Sequence, residues 1–148
     1  MHMRDQLVLR GRVRRGVGQG QYFTRLEWVC RQIQQQFGFD PAPGTFNIVI
    51  EPEQKEGLSQ MRKQAEAQIV PPDRGFCLAD CVAVRVRAVP IQDAQDQPAS
   101  TSQEGVVVIP LVQNYPDLLL EIMASVNLRQ ALGVEDGDAV EVRVRHTS

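Results

Sequence analysis

Apolar and polar positions along this chain alternate in some stretches and recur at helical spacing in others. From 81 to 90, Val82, Val84, Val86 and Ala88 fall on one side of an extended strand while Arg85 and Arg87 fall on the other. Residues 139–144 repeat the pattern, with Val140, Val142 and Val144 inward after an Asp136-Gly137 turn. Residues 7–13 and 45–50 are further strands, and the apolar run 106–109, ended by Pro110, is a fifth. Leu26, Val29, Cys30, Ile33 and Phe37 recur at helical spacing. Thr24 and Glu27 stand at capping-box spacing before them, and Gly38 follows as a C-cap. Leu58, Met61, Ala65 and Ile69 give a thinner helical face over 54–69, which Pro71 and Pro72 stop. Residues 117–123 read as a helix, and Ser125 as the cap of a second short helix ending near Gly133.

These elements, at least five strands with two or three short helices on short connections, favour a mainly β, barrel-like domain over a doubly wound sheet. The polar run 92–103 has no large apolar residue and cannot offset its own ordering entropy, so it is expected to be a mobile surface loop. It does not divide the chain, and residues 1–148 are read as a single domain, a size that can bury a real core.

Composition narrows the class. The chain is 43% hydrophobic and 23% charged with a net charge of −2, so nothing in its charge calls for a nucleic-acid partner. Cys77 and Cys81 lack the second pair a structural zinc would need, and with Cys30 they read as small buried hydrophobes of a reducing compartment. No apolar run approaches the ~20 residues of a membrane span, and the N-terminus has no signal pattern, so the expected location is the cytoplasm.

Three segments have chemical potential. Gly16-Val17-Gly18-Gln19-Gly20-Gln21 places glycines at alternate positions, where bare amides can approach an anion; it also suits a simple flexible turn. In Pro43-Gly44-Thr45-Phe46-Asn47, strand periodicity puts the Thr45 hydroxyl and the Asn47 amide on one face. They are two hard but uncharged oxygens that would hold Mg2+ only with phosphates completing the shell, or else ordinary turn residues bonding local backbone. Glu121 lies in an apolar run, either on a solvated face or aimed at a ligand, and Arg129 is either a phosphate partner or one half of a surface ion pair.

Taken together, GVGQGQYF (16–23), FGFDPAPGTFNIVI (37–50), VVVIP (106–110), EIMASVNLR (121–129) and LGVEDGDAVEVRV (132–144) resemble, in order, the CTP-dependent riboflavin kinases known chiefly from archaea. The resemblance implies a small six-stranded cradle-loop β-barrel and transfer of the γ-phosphate of CTP to the ribityl terminal hydroxyl of riboflavin, giving FMN and CDP. It also implies residue roles: Gly16 to Gln21 with Val126, Asn127, Leu128 and Arg129 on the nucleotide, Thr45 and Asn47 on Mg2+, and Glu121 on the flavin. The family has a flavin-contacting Thr where this chain has Gln113, a departure at that contact. No His or Asp stands out as a base, but phosphorylation of a primary alcohol can proceed largely by alignment. The alternative is a non-catalytic flavin- or nucleotide-binding regulatory module. Retention of both Thr45 and Asn47 weighs against it.

Overall fold

The computed structural model describes residues 7–16, 24–90 and 101–145. Its elements run β1 (Val8–Arg14), α1 (Glu27–Phe37), β2 (Phe46–Ile50), a 3-10 turn (Pro52–Gln54), α2 (Lys55–Lys63), β3 (Ala67–Ile69), β4 (Ala79–Ala88), β5 (Gln103–Pro110), β6 (Leu119–Met123), α3 (Leu128–Leu132) and β7 (Ala139–Val144). Every pairing is antiparallel. Six strands close on themselves in the order β4-β5-β6-β2-β1-β7 and back to β4, as the expected six-stranded closure requires, and β3 is a short addition alongside the start of β4.

Alternation decides what each face buries. Leu9, Ile48, Ile50, Val84, Val86, Val107, Leu120, Ile122, Val140 and Val142 point into the ring, each almost wholly buried, and Leu58 and Met61 of α2 join them. Full burial of each such side chain favours folding by about 1.5–3 kcal/mol. A second cluster lies on the outer face, where Val29 and Ile33 of α1 pack on Ile69, Cys81, Val106, Val108 and Met123. The α1 helix ends where its sequence said it would, on Gly38 in the left-handed conformation with its N–H donated to the Gln34 carbonyl.

The same helix covers the outer edge of β3. Gln32 donates to the Val70 carbonyl at 2.8 Å and accepts from the Val70 N–H at 2.7 Å, and Gln36 donates to the Gln68 carbonyl at 2.9 Å. Elsewhere the outer surface carries arginines around one buried carboxylate. Glu141, 5% exposed, accepts both Nε (2.9 Å) and Nη2 (3.3 Å) of Arg87, with Arg143 at 3.5 Å and Arg10 at 3.8 Å.

Four expectations change. Residues 119–123 form strand β6, not a helix, because the run is sandwiched: Leu120 and Ile122 enter the ring while Met123 packs outward under α1. The 54–69 segment divides into α2 and β3, and Ile69 belongs to the strand. Leu26, with no side-chain bond, stands at the start of α1, while the Thr24 hydroxyl accepts the Gly44 N–H at 2.8 Å. Asn127, not Ser125, caps α3, its side chain accepting the Gln130 N–H at 3.1 Å. The 92–103 run lies outside the described residues up to 100, and its last residue opens β5.

Candidate functional site

Pro43-Gly44 makes the turn that delivers the chain into β2. Gly44 has φ 86°, a conformation that glycine reaches without the Cβ penalty of other residues, and its N–H is fixed by Thr24. Immediately after it, the Thr45 hydroxyl donates to Asn47 Oδ1 at 3.0 Å. Two oxygens at that spacing match one edge of an octahedron whose ligands stand ~2.1 Å from its centre, an edge of ~3.0 Å. The pair is uncharged, and no cluster of three or more His, Cys, Asp or Glu side chains suited to a metal occurs among the described residues. The donor set therefore fits a hard cation that arrives already paired with anionic oxygens.

Asn47 has neighbours of interest on both sides. Across the ladder it pairs with Arg14 of β1 and Glu121 of β6, so the amide and the carboxylate share a face about 5 Å apart at their Cβ atoms. Gly16 lies against it so closely that a Cβ there would fall 2.0 Å from Asn47 Nδ2. Both described flanks of the glycine-rich segment thus dock where the chain enters β2, Gly16 on Asn47 and Thr24 on Gly44 of the preceding turn. Val17, Gly18, Gln19, Gly20 and Gln21 lie outside the described residues.

On the other side of this turn a small cavity of about 60 Å³ joins Pro43, Gly44 and Thr45 to Val126, Asn127, Leu128 and Arg129. The two segments are bridged by the Ala42 N–H, which donates to the Ala124 carbonyl at 2.7 Å. Val126 is exposed at the rim, Leu128 is buried in the core, and Arg129 is ion-paired with Asp136.

Glu121 is partly buried in the middle of β6. Burial pushes its carboxyl above the ordinary carboxylate range, and the Tyr115 hydroxyl offsets part of that rise. The same hydroxyl faces the carboxylate without closing a regular hydrogen bond to it. Gln113 is exposed in the turn between β5 and β6, and Tyr115, two residues on, faces Glu121. Sequence reasoning gave Thr24 a helix-capping role and passed over Tyr115 and Arg62 as site residues. The one aromatic in the connection from 111 to 118 was the available signal for Tyr115. Arg62, one residue after the buried Met61 on α2, gave none.

Residues 13–144 match the model of the CTP-dependent riboflavin kinase family, described as "Domain of unknown function DUF120". The chain belongs to this family. Proteins named riboflavin kinase are similar to it over nearly its whole length. The one from Archaeoglobus fulgidus is 34% identical over 138 residues, 93% of this chain and 54% of its own length. The one from Ignicoccus hospitalis is 34% identical over 149 residues, 97% of this chain and 77% of its own length. That from Methanocella arvoryzae is 32% identical over 139 residues, 91% and 56% respectively. The chain spans about half the length of two of these three relatives. No helix among the described residues is long and apolar enough to cross a membrane.

Proposed function

We propose that this domain is a riboflavin kinase that takes its phosphoryl group from CTP. The observation that carries the reading is the position of Asn47, with Thr45 Oγ1 3.0 Å from its Oδ1, Gly16 against its amide nitrogen and Glu121 opposite it on β6. One residue thereby links the two oxygens suited to a cation, the start of the glycine-rich segment and the carboxylate assigned to the flavin.

In this reading the ribityl terminal oxygen forms a bond to the γ-phosphorus, the bridging β,γ P–O bond breaks, CDP departs, and the hydroxyl proton passes to solvent. Such a transfer asks chiefly for in-line placement and for neutralisation of the phosphate oxygens. Mg2+ held by Thr45 and Asn47 would supply part of that neutralisation. Amides from Gly16 to Gln21 would grip the phosphates, and the segment Val126, Asn127, Leu128 and Arg129 that lines the small cavity would receive the cytidine. Glu121 and Gln113 would contact the flavin. Gln113 stands where the resemblance implies a threonine, and its amide supplies both a donor and an acceptor at that point.

Incubation with riboflavin, Mg2+ and each of CTP, ATP, GTP and UTP, with chromatographic detection of FMN, tests the proposal. FMN formed fastest with CTP is the expected result. Riboflavin or nucleotide binding without FMN would support the regulatory-module reading instead. FMN formed faster with another nucleotide would retain the kinase and overturn CTP as donor.

A further inference from the structure

Two buried side-chain polar atoms among the described residues close no regular hydrogen bond: Arg62 Nε, and Tyr115 Oη, which faces only the Glu121 carboxylate. They come from separate elements, α2 and the turn between β5 and β6, yet both residues line the same cavity of about 320 Å³. Leaving a buried donor unmatched costs about 1–3 kcal/mol, and more when the group is charged. Unmatched buried polar groups are few in native proteins, so two that converge on one hollow point to a ligand that completes them.

The lining specifies the ligand's chemistry. Arg62 Nε offers only a donor, its plane fixed by the Nη2 bond to the Asp117 carbonyl at 3.1 Å. Tyr115 remains a hydroxyl, because burial and then the Glu121 charge raise its pKa, and it can donate or accept. Leu111 and Val112 present exposed apolar surface beside these groups, 46% and 49% exposed. Asn114 at the rim is the one non-glycine residue with positive φ among the described residues, a conformation that turns the chain so that Tyr115 points inward. A phosphate would meet the carboxylates of Asp117 and Glu121, and an aliphatic group would leave both orphans unmatched. A flat heteroaromatic edge bearing carbonyl acceptors and a ring N–H matches every member.

We infer that this cavity receives the pyrimidinedione edge of the flavin ring, with Arg62 Nε–H donating to a ring carbonyl and Tyr115, backed by Glu121, meeting the adjoining imide N–H. The inference rests on riboflavin being the substrate, and it adds two binding residues to those assigned to the flavin above, Tyr115 from the same turn as Gln113 and Arg62 from α2. It also orients the substrate. Tyr115 faces Glu121 and Glu121 stands opposite Asn47, so the ring's polar edge lies at the Arg62 end and the ribityl chain extends toward Thr45 and Asn47. A cavity of this size is at the lower end of the ~300–1,000 Å³ range of ligand pockets, enough for one edge of a tricyclic ring rather than all of it.

The test is a set of equilibrium titrations followed by flavin fluorescence, with riboflavin and N3-methylriboflavin against the full chain, Arg62→Met and Tyr115→Phe. The wild type should favour riboflavin over its N3-methyl analogue by about tenfold or more. Each variant should lose about tenfold in riboflavin affinity and discriminate between the two flavins by less than about threefold, a coupling that a merely structural role would not produce. CTP affinity should stay unchanged in both variants. Tyr115→Phe deletes a single oxygen, so a folding failure of Arg62→Met leaves the experiment decisive. Variants that retain both the affinity and the discrimination of the wild type overturn the inference while leaving the kinase reading intact. A wild type that binds CTP but neither flavin overturns both.

Discussion

Replacing Gly16 with alanine separates the geometry of the proposed site from the stability of the fold. The Gly16 backbone is not in the left-handed region, so alanine is conformationally allowed there. Its Cβ would fall 2.0 Å from Asn47 Nδ2, where ordinary contact begins near 3.4 Å, so the side-chain amide must retreat by about 1.4 Å. The obstacle is the end of a side chain rather than backbone, and it can yield by turning off its rotamer at about 0.5–1.5 kcal/mol. Exchange of glycine for alanine returns about 0.4–1 kcal/mol by restricting the unfolded chain. The net change in stability is then within about 1 kcal/mol, or a melting shift of only a few degrees for a chain of this length. Catalysis has no such compensation. The Asn47 oxygen would leave its 3.0 Å pairing with Thr45, and a misplacement of about 1 Å can lower a rate about 100-fold. The assay is FMN formation at saturating riboflavin, CTP and Mg2+, with a thermal melt of the same preparation. A variant that melts like the wild type and turns over within threefold of it would refute the role given to Asn47.

Asn47→Leu keeps similar bulk but removes one of the two oxygens, and should lower FMN formation by about 100-fold with a near-normal melt; a rate close to wild type at saturating Mg2+ would refute the metal role. Glu121→Gln should raise the melting temperature at pH 7 while weakening riboflavin binding. Burial lifts the folded carboxyl above 4.5, so ionisation costs the folded state at neutral pH, and the gain should fade below that value, where both states are protonated. Glu141 has the opposite sign. Arg87 depresses its pKa, so its contribution holds above 4.5 and is lost as acidification passes through the lower folded value; melts of Glu141→Gln and wild type should therefore converge in acid. Arg87→Met strands that buried carboxylate with only Arg10 and Arg143 near it and should cost about 2–3 kcal/mol by denaturant titration.

The legible parts of the fold were those with one wet face. Strands β4 and β7 expose Arg85 and Arg143 between buried valines, and α1 exposes Arg31 and Gln34–Gln36 between Val29, Ile33 and Phe37, so their periods survive in the sequence. Strand β6 is packed on both sides, and a run such as Leu-Leu-Glu-Ile-Met then carries no period by which a strand differs from a buried helix. Thr24 was misassigned for a related reason. Its spacing to Glu27 fits a local cap, but its partner, Gly44, is twenty residues away and belongs to the turn before β2. At the site, the juxtaposition of Thr45 and Asn47 was readable because strand geometry fixes it within three residues. The cavity beside Arg62 and Tyr115 was not, since α2 and the β5–β6 turn are brought together only by closure of the sheet.

That closure, together with Gln32 and Gln36 on β3, also restricts how the protein can associate. An unpaired strand margin is the usual template on which a foreign polypeptide adds itself by main-chain pairing, whether a peptide ligand or an aggregating neighbour. Here two glutamine amides already occupy that margin at Gln68 and Val70. A partner meeting this margin must therefore recognise it by side chains, and substitution of both glutamines by alanine would open a sticky seam at Gln68 and Val70.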